Sequence, residues 1–243
     1  MGTLAFLIAL AASFPSPSQL PTVPRLIQGA QPVYCAGAQG RGFALTFDDG
    51  PSPYTPQLVR VLRRAHARAT FFDVGNRVAL WPSGVRAARS VGELGNHTWS
   101  HANLTSLSPR DAWSELVSGQ RALAGRPGAA PHLFRPPYAE AEPLDDRLAR
   151  RLGLLDIRWS VDAGDSRVGA TPRKVIRTAV AGLHPGAIVL LHDPHPWTAR
   201  VAAAVLRAAA KRSLEPVTVT ELLVRQPPSG RQLGSLGAGR CPG

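Results

Sequence analysis

From Phe43 onward, short apolar or β-branched runs alternate with stretches whose apolar residues recur three and four positions apart. The runs are Phe43–Phe47, Ala69–Val74, Glu93–His97, His132–Arg135, Leu155–Val161, Ala187–His192 and Pro216–Val219. Each is short and bounded by turn residues, as expected of strands in a covered sheet. After the first run, Leu58, Val61, Leu62 and Ala65 make one apolar stripe at i, i+3, i+4 and i+7, with arginines between them. Thr55-Pro56, Ser108-Pro109 and Thr171-Pro172 mark helix starts, since a hydroxyl can cap free N–H groups and proline suits the first turn. Ser108 and Asp111 also have the spacing of a capping box. This alternation predicts an α/β fold, a (β/α) barrel of about seven parallel strands, and it places the chemically loaded residues at the strand ends.

At 243 residues the chain is sized for one such domain, expected over residues 25–243. Ahead of it, Leu4–Ala12 is apolar but too short for the roughly 20 residues that cross a bilayer, and small residues and prolines follow through Pro24. Residues 1–24 therefore read as a signal-like segment and Pro-rich linker, although Met1-Gly2-Thr3 lacks the usual basic residue. Export suits the two cysteines: Cys35 and Cys241 lie near opposite ends and are expected to bridge in an oxidising compartment. The formal charge of +12 comes almost wholly from arginines scattered through predicted helices, among them Arg60, Arg63, Arg64 and Arg68. With no basic run and no recognition motif, a specific nucleic-acid partner is not expected. Attraction to an anionic cell wall through the long-range field is the functional alternative to a mere compositional bias.

Two segments carry the chemistry. Thr46-Phe47-Asp48-Asp49-Gly50-Pro51 supplies adjacent carboxylates at a strand end, where they can diverge around one site. His97-Thr98-Trp99-Ser100-His101 supplies two imidazoles four apart, a spacing that suits ligation on a helix face or a tight loop. An Asp and two His offer three ligands to a borderline cation such as Zn²⁺ and leave positions open, as a catalytic site requires. The second Asp is then free to act as a base.

Three later segments complete a set: Phe134-Arg135-Pro136-Pro137-Tyr138, Trp159 to Asp165 with Asp162 and Asp165, and Ile188 to Asp193 with His192. The five in this order resemble the polysaccharide deacetylase family, the NodB-homology domain of carbohydrate esterase family four, over about Phe43–Leu223. The resemblance implies a distorted (β/α) barrel with its site at the strands' C-terminal ends. It assigns Asp49, His97 and His101 as metal ligands, Asp48 as general base and His192 as the acid that protonates the departing amine. Arg135 is implied as the partner of the base, the backbone N–H of Tyr138 as oxyanion donor on the turn made by Pro136 and Pro137, and one of Asp162 and Asp165 as the support of His192. Val189 and Leu191, just before that histidine, are expected either to wall an acetyl pocket with Pro136 or to belong to the core. Zinc is the expected ion, with cobalt, nickel and manganese as alternatives.

Two residues depart from the family pattern: Ser166 stands where a large aromatic is usual, and Ala139 where glycine is common. Trp99, Trp159 and Trp197 are candidate replacement platforms. His66, His132, His184 and His195 carry no assigned role. The implied activity is secreted or wall-associated removal of N-acetyl groups from N-acetylglucosamine units of peptidoglycan or chitin oligomers by a monomeric enzyme without a membrane span in its mature form. Its rivals are an acetylxylan esterase and a non-catalytic module that holds wall glycan.

Overall fold

The computed structural model describes residues 22–29, 31–125, 130–230, 233 and 241. The signal-like run Leu4–Ala12 lies outside them. The strands are β1 (Gly42–Gly50), β2 (Ala69–Asp73), β3 (Gly92–Asn96), β4 (Leu133–Phe134), β5 (Leu155–Asp156), β6 (Val161–Asp162), β7 (Ile188–His192) and β8 (Glu215–Val217). The helices are α1 (Thr22–Gly29), α2 (Thr55–Arg64), α3 (Arg77–Leu80), α4 (Pro82–Arg89), α5 (Pro109–Ala124), α6 (Pro143–Arg151), α7 (Pro172–Ala181), α8 (Thr198–Lys211) and α9 (Val219–Arg225).

All pairings between these strands are parallel, in the order β5-β4-β3-β2-β1-β7-β6, with β8 on β1. The predicted run Leu155–Val161 serves both ends of this order. Its start pairs with β4 as β5, Ser160 donates to the Ile188 carbonyl at 3.1 Å, and its end pairs with β7 as β6. One stretch of chain thus bridges the two edges and curls the sheet into a distorted barrel. The edge is further covered by Val33, which bridges to Ile157.

Alternation along β1 sorts the core. Phe43, Leu45 and Phe47 join the cluster that packs under α2, α4, α7 and α8, whereas Ala44 joins the interior cluster with Phe72, Leu133, Ile188 and Leu222. On β7 the same parity sends Val189 and Leu191 out to the helix layer and Ile188 inward. The helix marks are met unevenly. Ser108 accepts from the Asp111 N–H at 3.2 Å and Thr171 from that of Lys174 at 3.4 Å. Thr55 does not cap α2: its hydroxyl donates to Asp193 at 2.7 Å and accepts from the Ser52 N–H. The buried face of α2 is Thr55, Leu58, Val59 and Leu62, with Ala65 exposed.

α1 starts at Thr22, inside the stretch read as linker, and buries Val23 and Leu26 against the interior cluster near α9. Cys35 and Cys241 are joined in a disulfide, with Cα atoms 5.9 Å apart. Among the described residues no helix is long and apolar enough to cross a membrane.

Candidate active site

The two carboxylates of β1 reach one site because the strand is broken between them. Pairing with β2 is regular up to Asp48↔Phe72 and resumes at Gly50↔Asp73, which leaves Asp49 as an extra residue. Asp49 has φ 65°, so its side chain turns back to the barrel interior rather than out to the helices, as strict alternation would send it. The turn is pinned from behind: Arg77 donates to the Asp49 carbonyl, and Asp193 accepts from Ser52 and Thr55 while its own N–H donates to the Asp48 carbonyl at 2.8 Å. Burial raises the Asp193 carboxyl, against these hydrogen bonds and the charge of Arg77.

His97 and His101 lie on a loop after β3, not on a helix. Thr98 and His101 both have φ 65°. Asn96, at the end of β3, accepts from the Thr98 N–H at 2.8 Å and donates to the Leu116 carbonyl of α5 at 2.9 Å. From the same helix Glu115 accepts from the N–H groups of Trp99 and Ser100 and from the Ser100 hydroxyl, at 3.0, 2.8 and 2.8 Å. Gly119 lets the loop lie flush on α5, for a Cβ there would come within 2.6 Å of Asn96 Oδ1. His97 Nδ1 is 2.6 Å from the Arg135 carbonyl, a contact that fixes its proton there and leaves Nε2 bare. His101 Nδ1 is 3.2 Å from the Tyr138 hydroxyl.

Arg135 is wholly buried and directs its donors to Asp48 and the strands around it. Nη1 reaches Asp48 Oδ1 at 2.7 Å and Thr46 Oγ1 at 2.8 Å, while Nε and Nη2 reach the carbonyls of Ile157 and Arg158 at 2.9 and 3.0 Å. Its guanidinium covers the Phe72 ring at 4.1 Å. Burial pulls this cation's pKa down, and the Asp48 carboxylate pushes back. Asp48 Oδ2 sits 3.9 Å from His97 Nε2.

On the other side, His192 Nδ1 lies 2.7 Å from Asp165 Oδ1, and the His192 N–H donates to Oδ2 at 2.6 Å. Of the two candidate supports, Asp165 is therefore the one in contact. Asp162 accepts from the Gly164 N–H and from Arg167, both at 2.7 Å. Burial would lower the His192 pKa, but the hydrogen bond and charge of Asp165, helped by Asp48 and Asp49, raise it to about 9.

Asp48, Asp49, His97, His101 and His192 line one cleft of about 410 Å³, with Pro136, Tyr138, Ala139, Trp159, Asp162, Ser166, Leu190, Pro194 and His195, while Arg135 and Asp165 support it from behind. Val189 and Leu191 do not wall it. Their parity on β7 buries them under the helices, and Leu190, in phase with His192, faces the cleft instead. Tyr138 and Ala139 both take positive φ, 61° and 59°, and the Ala139 carbonyl accepts from the Arg158 guanidinium. Of the three tryptophans only Trp159 lines the cleft; Trp99 is exposed away from it, and Trp197 stands behind His195. His195, which the sequence left without a role, is inside. Asn96 and Glu115 were missed because most of their hydrogen bonds end on backbone, which leaves no motif; Asp193, at the end of the His192 segment, had no role in the sequence reading because its partners, the Ser52 and Thr55 hydroxyls, are remote in sequence.

Asp49, His97 and His101 present ligand atoms within 4.8 Å of one another. Asp49 Oδ1 is buried without a hydrogen-bond partner, 3.4 Å from His97 Nε2 and 3.0 Å from His101 Nε2. Burial favours its neutral form, yet the two imidazoles hold it well below the usual carboxylate range. An ionised, orphaned carboxylate oxygen facing two imidazoles whose second nitrogens are engaged elsewhere fits a divalent cation.

Residues 37–157 match the family model described as polysaccharide deacetylase. A peptidoglycan-N-acetylglucosamine deacetylase of Listeria monocytogenes is 33% identical over 90% of this chain, which spans 44% of that relative's length. A chitooligosaccharide deacetylase of Sinorhizobium fredii is 36% identical over 73% of this chain and 79% of its own. Among solved structures, a family 4 carbohydrate esterase from Streptomyces lividans in complex with acetate superposes with a TM-score of 0.67 at 33% identity, covering 74% of this chain and 92% of that one.

Proposed function

The chain belongs to the polysaccharide deacetylase family, and from that premise we propose that it is a metal-dependent hydrolase that removes N-acetyl groups from N-acetylglucosamine units of peptidoglycan or chitin oligomers. The observation that carries this reading is the division of labour around the cleft: a metal-ligand cluster, a separate carboxylate held by Arg135, and an imidazole held by Asp165.

Asp49, His97 and His101 would hold the ion, zinc by ligand type. When bound, such a cation supplies Lewis acidity, acidifying a water and polarising an amide carbonyl. Asp48 takes a proton from the attacking water; Arg135 holds its carboxylate in place. The backbone N–H of Tyr138, on the turn after Pro136 and Pro137, is assigned to the oxyanion. His192, charged below about pH 9, gives its proton to the departing nitrogen as the C–N bond breaks. The products are acetate and a free amine on the sugar. Leu190 rather than Val189 or Leu191 is assigned to the acetyl methyl, because it lies beside His192 in the cleft. The disulfide supports an extracellular or wall-associated location.

The test is acetate release from N-acetylglucosamine oligomers and from acetylated xylan, by protein stripped with chelator and reloaded with zinc or cobalt. We expect metal-restored release from the former, lowered by roughly 10²–10⁴-fold in Asp48→Asn. Release from xylan alone would favour an esterase. If the parent bound polymer and released no acetate, a glycan-holding module would be the better reading.

A further inference from the structure

His195 enters the cleft on the acid side. Its ring stacks on Trp197 with centroids 4.6 Å apart and an interplanar angle of 7°, and it meets His192 edge-on at 6.4 Å. Trp197 is partly buried and packs against the core cluster under the helices, so the platform behind His195 is fixed. The backbone is fixed as well, since the His195 carbonyl accepts from the Thr198 N–H at 3.1 Å at the start of α8. Yet among the described residues no group hydrogen-bonds to its ring nitrogens. A half-buried imidazole with a rigid aromatic backing and free nitrogens, lining a cleft with Ser166, is built to meet something that enters the cleft.

We propose that His195 is a substrate-positioning residue that holds the sugar unit whose acetamide lies between Asp48 and His192. The proposal rests on the deacetylase reading. Geometry selects the ligand class: the residue next to the proton donor for the nitrogen faces the ring that carries that nitrogen, and a pyranose offers both C–H faces for an aromatic ring and hydroxyls for an imidazole nitrogen. Ser166 is too small to supply an aromatic wall, and of the three tryptophans considered Trp159 alone lines the cleft directly. His195 backed by Trp197 supplies such a wall from the loop after β7. Removal should therefore weaken substrate capture and leave the reacting groups in place.

The experiment compares the metal-loaded parent with His195→Ala, His195→Phe and His195→Gln on N-acetylglucosamine oligomers. For His195→Ala we expect KM to rise about tenfold, the scale of one lost hydrogen bond plus an aromatic contact. We expect kcat to change less than about twofold and metal affinity to stay at the parent's value. Phe should restore KM if the ring face makes the contact, and Gln if the nitrogens do. The same substitution on an Asp48→Asn background, read as calorimetric binding of the oligomer, keeps this inference separable from the deacetylase reading. Weaker binding in the double variant supports His195 even where the parent releases no acetate. Unchanged KM and binding in His195→Ala would overturn the proposal. So would equal losses in all three variants accompanied by weaker metal binding, since that pattern belongs to a structural residue.

Discussion

Asp48 and Asp49 are the same residue side by side, and one dihedral angle separates their chemistry. Asp48 stays in the strand and meets Arg135, while Asp49 at φ 65° turns to the histidines. A sequence displays the pair but not the bulge, so the division of roles came from resemblance and its geometry only from the fold. The same limit explains Asp162 and Asp165: both were visible, and three residues of loop decided which one faces His192. Val189 and Leu191 are a different case. Counting back from His192 by twos reaches Leu190, so strand periodicity alone could have corrected them. Asp165 also carries a pH prediction. It raises the His192 pKa to about 9, so if His192 is the acid, as proposed, the parent should hold its activity until pH approaches that value. In Asp165→Asn the raising charge is gone and burial, which lowers the pKa, dominates. The alkaline limb of kcat/KM should move down by roughly one to three pH units, with more activity lost at pH 8 than at pH 6. An alkaline limb that stays near pH 9 in this variant would assign it to another group.

At the scale of elements, the βα alternation was legible because the strands are covered on both faces and read as apolar runs, from Phe43–Phe47 to Ala187–His192. The split of Leu155–Val161 into β5 and β6 was not legible, because each piece has two residues and is defined by the edge it meets. Nor was the dependence of the histidine loop on α5. Glu115 lies fourteen residues beyond His101, and its three hydrogen bonds all end on Trp99 and Ser100, between the two histidines. Those bonds hold the backbone that presents His97 and His101 at one spacing. Glu115→Ala should leave every ligand present and still weaken metal binding by roughly 10- to 100-fold, the usual scale for a supporting group. Competition against a chromogenic chelator measures it, with Glu115→Gln expected to fall between. Parent-like affinity in the alanine variant would mean that Asn96 and the packing at Gly119 suffice.

Across the whole molecule the charges are sorted. Asp48, Asp49, Asp73, Asp162, Asp165 and Asp193 gather at the strands' C-terminal ends, while exposed arginines such as Arg60, Arg63 and Arg64 ride the outer helices. The positive total therefore describes the girdle and not the cleft, a distinction that composition alone conceals. Sorting like charges together leaves some acids poorly matched. Both carboxyl oxygens of Asp73 are buried without a hydrogen-bond partner, and burial first, then Asp193, drives its pKa well up. Asp146 on α6 is the case where pH can isolate the effect, because burial and the neighbouring Asp156 raise it from 3.8 to about 7, outweighing Arg158. An acid with a raised folded pKa binds more protons folded than unfolded between those two values, so its contribution to stability falls as pH rises from about 4 to about 7 and then levels off. Asp146→Asn removes the titration while keeping the shape. The variant should match the parent closely at pH 4 and gain on it in Tm through pH 7, with the advantage flat above that. A gap that is constant with pH, or that closes as pH rises, would mean that solvation or the Arg158 charge outweighs burial and Asp156 at the Asp146 carboxyl.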